Sequence, residues 1–262
     1  MWSPVIILIS GLIIGIGFLN FFNGKEIELA QHKFDGKRRG AIFLATFFGV
    51  WKCGNLLRTV IRDYPLDFHY PEGSDGIHQI GIMVERFLNG IFPYSIITEW
   101  PDLGAYLFPT YLPLTWMPYI VPEVFGFDYR WMGLAILIIG FLYFFYKVIP
   151  WNRSWGINIV LLFLPFLFLY LFQKNDTQSI FRFSVETMIA GYYLILATAL
   201  FSKSNLVRGV ALLLCVLSRY SVVLWVPLFF FVLLFKEKKT NIFQIGGWLV
   251  LGILGLYVIP FL

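Results

Sequence analysis

The sequence predicts an all-α membrane protein, and three observations lead to that fold class. Of the 262 residues, 59% are hydrophobic and only 13% are charged, whereas soluble domains carry about 25% charged residues. The apolar residues form continuous blocks, several of them as long as the roughly 20 residues that a bilayer-crossing helix needs. The blocks also lack the alternation expected of strands in a membrane barrel. We therefore expect a polytopic bundle of transmembrane helices.

Eight apolar blocks predict about eight or nine membrane segments within a single transmembrane domain spanning 1–262. The blocks lie at residues 4–22, 41–62, 106–125, 131–149, 155–173, 184–201, 207–235 and 242–262. Block 106–125 contains four prolines, and we expect it to re-enter the membrane without crossing, because interior prolines break helical hydrogen bonding. Block 207–235 is too long for one crossing. An arginine is costly at mid-membrane, so we expect two short helices with Arg219 at the turn between them.

The distribution of charge predicts the orientation in the membrane. The basic residues cluster in short turns at 23–40, 202–208 and 236–239, which is typical of cytoplasmic loops. This scattered pattern accounts for the net charge of +5 without a nucleic-acid partner. The long loop 63–105 carries seven acids, with Arg86 as its basic residue. We place this loop on the extracytoplasmic side of the plasma (inner) membrane.

The spacing of apolar residues within 76–90, inside this loop, predicts an amphipathic helix that lies along the membrane surface. Its apolar face is expected to hold Ile77, Ile80, Val84, Phe87 and Leu88, and its polar face His78, Glu85 and Asn89. Ser74 or Asp75 is the expected N-cap, and Gly90 the expected stop. A helix N-terminus favours the carboxylate form of Asp75, which suits a general base. Helix capping alone is the alternative role.

The order of motifs in this loop resembles a known family. Gly73-Ser74-Asp75, a helix, and then Gly90-Ile91-Phe92-Pro93-Tyr94 resemble the first external loop of the glycosyltransferase C superfold. The mannosyltransferases that use polyprenyl-phosphate mannose are the most similar type. Tyr111-Leu112-Pro113-Leu114 is similar to the aromatic–proline motif that follows in that family. Residues 207–219, followed by a run with Pro227 and a basic cluster, are similar to its later pair of helices.

The resemblance covers roughly residues 41–240 and includes departures. Leu112 stands where the family has its first proline, and Arg219 stands where it has a lysine. The chain is short for the family and stops within an apolar segment. A shortened core module of the family is therefore an open alternative.

The resemblance implies an inverting glycosyltransferase. The donor would be a polyprenyl-phosphate-linked sugar, and the acceptor a lipid-linked or cell-envelope glycan on the extracytoplasmic face. Asp75 matches the family's general base, with Asp67 as the alternative. A leaving phosphate gains charge and needs cations, so we expect Arg219, and after it Arg182 and Lys174, to bind the donor phosphate. The candidate acceptor or sugar ligands are His78, Tyr94, Glu99, Trp100, Asp102 and Tyr111. No metal ligand set and no firm cofactor is predicted; a divalent metal stays open.

Two other functions remain open at this point. Lys52, Asn55 and Arg58 share roughly one face of their helix, which could line the active cavity or meet Glu186. A transporter or lipid flippase would use the polar residues within the membrane as its pathway and the external helix as a gate. Contact between helices is the simpler role for those three residues. A non-catalytic or truncated membrane subunit is the other alternative, and in it Arg219 would extend to lipid headgroups.

Overall fold

Most of the residues that the structure describes are helical. The computed structural model describes residues 36–66, 76–98, 107–147, 159–160, 162–163, 166–167, 185–200, 202–223, 226–236 and 238–261. These residues contain no strand, only an isolated antiparallel bridge between Ile97 and Leu107. The predicted all-α class is confirmed for them. The tertiary contacts described below lie within one compact unit, Gly40–Leu262.

Ten α-helices follow one another among the described residues. They are α1 (Gly36–Asp63), α2 (Gly76–Leu88), α3 (Pro113–Trp116), α4 (Ile120–Phe125), α5 (Arg130–Lys147), α6 (Glu186–Ala199), α7 (Asn205–Val216), α8 (Tyr220–Val223), α9 (Val226–Lys236) and α10 (Lys239–Ile253). A 3-10 turn joins α3 to α4, and a π-helical turn, Leu254–Val258, extends α10.

Three of the described helical stretches are long and apolar enough to cross a membrane. They are Arg39–Asp63, Arg130–Lys147 and Lys239–Val258. They support a bilayer environment for the protein. Of the other predicted segments, 4–22 lies outside the described residues, and 155–173 is described only in short pieces. The total of eight or nine membrane segments stays a prediction.

The proline-rich segment is broken, as its composition predicts. Pro113 stands at the start of α3, the helix becomes a 3-10 turn at Met117, and α4 ends at Gly126. Gly126 has a positive φ of 67°, which lets the Phe127 N–H reach back 3.1 Å to the Pro122 carbonyl. This is the Schellman pattern that closes a helix with a left-handed residue.

The broken segment also returns to the end of the bundle from which it started. The Arg130 guanidinium, at the start of α5, donates a 2.8 Å hydrogen bond to the carbonyl of Tyr64, just after α1. The chain between these two residues therefore begins and ends at one place. The contact places the start of α5 beside the end of α1, so α5 runs antiparallel to α1. The re-entrant path of residues 106–125 stays a prediction.

Helices α5 and α6 pack closely and run parallel. A methyl group on Gly191 would lie 2.9 Å from the carbonyl of Ile136, and one on Gly140 would lie 3.0 Å from the carbonyl oxygen of Gly191. Gly133, two turns earlier in α5, faces Thr187 at the start of α6. The contacts thus advance in the same direction along both helices. Small residues let helix backbones approach closely within a membrane, and here they fix α6 against α5.

Helices α7 and α10 form a second parallel pair. Asn205 Nδ2, at the start of α7, donates a 2.7 Å hydrogen bond to Gln244 Oε1 near the start of α10. One turn on, a side chain at Gly209 would collide with Trp248, and further along Leu213 packs over Gly252. The two helices therefore start at the same end of the bundle.

The predicted division of block 207–235 is confirmed. Helix α7 ends at Val216, and α8 begins at Tyr220. Between them the Ser218 hydroxyl donates a 2.9 Å hydrogen bond to the Cys215 carbonyl, which also accepts from the backbone N–H groups of Ser218 and Arg219. Arg219 is thereby placed at a turn and not inside a helix.

Helix α2 begins and ends close to the predicted positions, but its surroundings differ from the prediction. Gly90, with a φ of 70°, closes the helix with hydrogen bonds from its N–H to Phe87 and from the Ile91 N–H to Arg86. However, every residue from Gly76 to Val84 is buried. The predicted exposed polar face is therefore wrong for this part of the helix, and right for Glu85 and Asn89, which are exposed.

Two clusters of apolar residues cover α2 on different sides. Ile77 and Ile80 pack in the main core with Trp116, whereas Ile82 packs with Ile97 in a small cluster of its own. His78, which we expected on the polar face, is only 1% exposed as a result. The helix is thus an internal support for the segments around it.

Candidate functional site

An ion pair between Arg219 and Glu186 is the most prominent charged feature near the predicted site. Arg219 follows the turn after α7, and Glu186 is the first residue of α6. The side chains are 38% and 54% exposed, respectively. The guanidinium is thus both paired with a carboxylate and accessible to a ligand.

The proline-rich segment holds the Arg219 turn in place. The Leu114 N–H donates a 2.9 Å hydrogen bond to the Leu217 carbonyl. The Thr115 hydroxyl donates one of 2.6 Å to the Ser218 carbonyl, and it is buried. Two motifs about a hundred residues apart are thus joined by direct contacts. The position of Arg219 depends on both of them.

Tyr94, from the turn after α2, is hydrogen-bonded to the same proline-rich segment. The buried Trp116 indole donates a 3.1 Å hydrogen bond to the Tyr94 hydroxyl oxygen, and Phe87 packs edge-on to Trp116. Burial raises the pKa of Tyr94 to about 12; the hydrogen bond from Trp116 opposes this shift, and the nearby Tyr257 and Tyr220 add to it. Tyr94 therefore keeps its proton at neutral pH and acts as a hydrogen-bonding group, not as a base.

Arg86 fixes the turn that carries Tyr94. Its side chain is buried, and it donates hydrogen bonds to the carbonyl oxygens of Ser95 and Ile96, the latter at 2.8 Å. From the sequence alone, Arg86 was noted only as the basic residue of an acidic loop. Its donors instead satisfy backbone acceptors that have no helical partner.

One core underlies all of these elements. Ile77 of α2, Trp116 of the proline-rich segment, Val185 just before Glu186, and Leu217 just before Ser218 belong to the same buried cluster. Tyr111, a predicted sugar ligand, packs half-buried against it. The cluster therefore brings together four separate parts of the sequence that were predicted to form the site or that adjoin it.

Several predicted site residues lie outside the described residues. They are Asp67, Asp75, Glu99, Trp100, Asp102, Lys174 and Arg182. Asp75 directly precedes Gly76, the first residue of α2. Their predicted roles, and those of Tyr94, Tyr111 and His78, stay predictions. The burial of His78 means that any contact it makes with a sugar requires an opening beside α2.

The sequence did not single out the Arg130 and Asp128 pair. Asp128 accepts hydrogen bonds from the Arg130 N–H at 2.9 Å and from its guanidinium at 2.8 and 2.6 Å. Arg130 is buried and also bonds to Tyr64, as described above. Asp128 thus caps α5 and neutralises Arg130 at once. An aspartate two residues before an arginine at a helix start was the available signal.

The polar residues of α1 were predicted to line the active cavity or to meet Glu186. Lys52, Asn55 and Arg58 are exposed, and the Lys52 ammonium lies 5.1 Å from the ring centroid of Trp51. Glu186 pairs with Arg219 instead. Helical spacing correctly groups the three residues on one side, but it does not say what that side faces.

Within the part of the chain that the structure describes, no three His, Cys, Asp or Glu side chains come together in a way that would hold a metal ion. Comparison with family models, with curated proteins and with solved structures gives no match to the chain. The geometry and chemistry of the site therefore carry the functional conclusion.

The Arg130–Asp128 pair gives a first testable prediction. Changing Arg130 to methionine should lower the free energy of unfolding by about 3–5 kcal/mol, because it leaves a carboxylate without its partner in a buried setting. Adding Asp128→Asn should restore part of the loss, since asparagine still caps the helix. Thermal and denaturant unfolding in detergent measure both effects.

The matched control is Arg62→Met. Arg62 pairs with Asp63 at 2.8 Å, but both side chains are exposed. Exposed pairs contribute little, so this variant should unfold close to wild type. Equal destabilisation by Arg62→Met and Arg130→Met would contradict the assigned role of Arg130.

Proposed function

We propose that this protein is an integral membrane glycosyltransferase. It transfers a sugar, with inversion, from a polyprenyl-phosphate donor to a lipid-linked or cell-envelope glycan acceptor on the extracytoplasmic face. One observation carries the proposal. Ile77, which is two residues after Asp75, and Leu217, which is two residues before Arg219, lie in the same buried core. Residues close in sequence to the candidate base and to the candidate phosphate ligand thus pack in one core.

Arg219 is suited to the donor phosphate. A guanidinium keeps its charge and offers several donors in a planar arrangement that matches phosphate oxygens. The side chain is partly exposed, and the hydrogen-bonded Ser218 carbonyl fixes its backbone neighbour. In the structure the Glu186 carboxylate is paired with the Arg219 guanidinium. A phosphate oxygen of the donor replaces this carboxylate during binding.

Asp75 is suited to act as the general base. The helix that follows it begins at Gly76, and a helix N-terminus stabilises a carboxylate. Tyr64, upstream, is tied to the buried Arg130. The described residues that flank Asp67 and Asp75 in the sequence, Tyr64 and Gly76, are therefore held in place. In the proposed reaction the aspartate removes the acceptor's hydroxyl proton as the sugar–phosphate bond breaks.

Exposed and half-buried aromatic side chains suit a sugar. Tyr94 and Phe92 lie 5.7 Å apart between ring centroids, and Phe92 is exposed. The protonated Tyr94 hydroxyl can exchange hydrogen bonds with sugar hydroxyls. Tyr111 adds a further half-buried ring on the same core. Trp100, Glu99, Asp102 and His78 are proposed to complete the acceptor and sugar site.

The membrane setting supports a lipid substrate. Three described helices have the length and hydropathy of membrane spans. The basic turns 202–208 and 236–239 and the acidic loop 63–105 predict opposite sides of the membrane. The proposed location is the plasma membrane, with the loop outside the cytoplasm.

A transfer assay tests the proposal. The purified full chain is reconstituted in liposomes with radiolabelled polyprenyl-phosphate sugars and a membrane extract as acceptor. We expect label to move from the donor lipid to a glycan or second lipid, and nucleotide sugars to be inactive as direct donors. Liposomes prepared in parallel without the chain are the control. If the labelled donor crosses the bilayer unchanged and no transfer occurs, the protein is a flippase and the proposal fails.

A further inference from the structure

Two basic turns that are far apart in the sequence meet at one end of the bundle. Lys203 lies just before α7, and Lys238 and Lys239 stand at the start of α10. Asn205 Nδ2 donates hydrogen bonds to Gln244 Oε1 at 2.7 Å and to Asn241 Oδ1 at 3.2 Å. These contacts hold the starts of α7 and α10 together. The three lysines therefore belong to one surface, which we call the lysine patch.

The sequence around the lysine patch is rich in positive charge. From residue 200 to residue 262 the sequence contains one acid, Glu237, against five basic residues near the two turns: Lys203, Arg208, Lys236, Lys238 and Lys239. The three lysines of the patch are exposed. Arg208 is half-buried, and its guanidinium donates to the Leu200 carbonyl at 3.5 Å. The two turns thus carry an excess of positive charge in the sequence.

The lysine patch borders an exposed apolar surface. Leu206 and Val210 on α7, and Phe243 and Leu251 on α10, are exposed, Phe243 by 80%. They lie within the apolar lengths of their helices, one turn or more beyond the lysines. Cations next to exposed apolar side chains match a molecule with an anionic head and an acyl tail. We infer that the lysine patch is a docking site for anionic phospholipid headgroups.

This site is separate from the proposed catalytic site. The patch lies at the start of α7, and Arg219 follows its other end. Helix α7 has 12 residues, so about 18 Å of helix separates them at 1.5 Å per residue. Lipid binding at the patch does not rest on the proposed transferase activity.

The size of the effect follows from the number of lysines. Each basic residue near an anionic membrane surface contributes roughly a fivefold gain in binding. Loss of three should weaken binding on the order of 100-fold at low salt, and less at high salt because exposed charges are screened.

The experiment uses the full chain in detergent and a fluorescent phosphatidylglycerol. The test variant carries Lys203→Gln, Lys238→Gln and Lys239→Gln. The matched control carries Lys52→Gln, Arg58→Gln and Arg62→Gln, which remove the same charge from exposed positions on α1. We expect the test variant to bind on the order of 100-fold more weakly than wild type, and the control within about twofold of wild type. Lysine-to-arginine changes at the three patch positions should preserve binding and show that the fold tolerates substitution there.

Four outcomes would overturn the inference. Binding of the test variant at wild-type strength would exclude the lysine patch. Equal loss in the control would mean that net charge alone matters. Competition by millimolar inorganic phosphate would indicate a site for free phosphate. Equal binding of phosphatidylcholine would mean that the acyl chains, and not the anionic headgroup, determine the affinity.

Discussion

Changing Asp75 to asparagine should lower the rate of sugar transfer by about 10²–10⁴-fold, the usual contribution of a general base. Asparagine keeps the shape of the side chain and can still cap α2, but it cannot accept the acceptor's proton. The fold should therefore be unchanged. Initial rates of label transfer and the melting temperature of the purified protein measure the two effects separately.

Asp67→Asn is the matched control for this prediction. Asp67 and Asp75 lie in the same stretch between Tyr64 and Gly76, and the resemblance leaves Asp67 as the alternative base. We expect Asp67→Asn to retain most of the transfer activity. The reverse result, with Asp67→Asn inactive and Asp75→Asn active, would move the base to Asp67 and leave the proposed function intact.

The fold was predictable wherever the signal is local. Long apolar blocks identified α1, α5 and α10, because a bilayer requires unbroken hydrophobic length. Gly90 predicted the end of α2, since a left-handed residue there closes a helix with little strain. The prolines predicted the broken path to α4. In each case the physical cause lies within a few residues of its effect.

The contacts of the site could not be predicted in the same way. Arg219 pairs with Glu186 from another helix, and Arg130 reaches Tyr64, 66 residues earlier. Nothing local to these residues encodes the partner. The helical period of α2 failed for His78 because periodicity tells which residues share a face, and it does not reveal that a second cluster covers the polar face as well. Such partners follow only from the packing of whole helices.

Replacing Arg219 with glutamine should reduce transfer by about 10²–10³-fold, the typical cost of losing a group that stabilises charge developing in the transition state. The leaving phosphate gains negative charge as the sugar departs, and glutamine offers no positive charge to balance it. Arg219→Lys should retain more activity than Arg219→Gln, because it keeps the charge and loses only the two-point contact. Arg62→Gln, at an exposed ion pair outside the site, should leave transfer unchanged.

Changing Glu186 to glutamine should strengthen binding of the donor, which is the opposite of the effect expected from losing the Arg219 charge. The Glu186 carboxylate competes with a phosphate for the Arg219 guanidinium, so removing the carboxylate charge should lower the KM for the polyprenyl-phosphate sugar with little change in kcat. A merely structural ion pair predicts a different pattern, in which both Arg219→Gln and Glu186→Gln lower the melting temperature and change transfer alike. Opposite effects of the two variants on donor KM, at equal melting temperature, would identify Glu186 as the group that occupies Arg219 until the donor arrives. Parallel losses would assign the pair to stability and leave the donor phosphate to be bound by other cations, of which Arg182 and Lys174 are the predicted candidates.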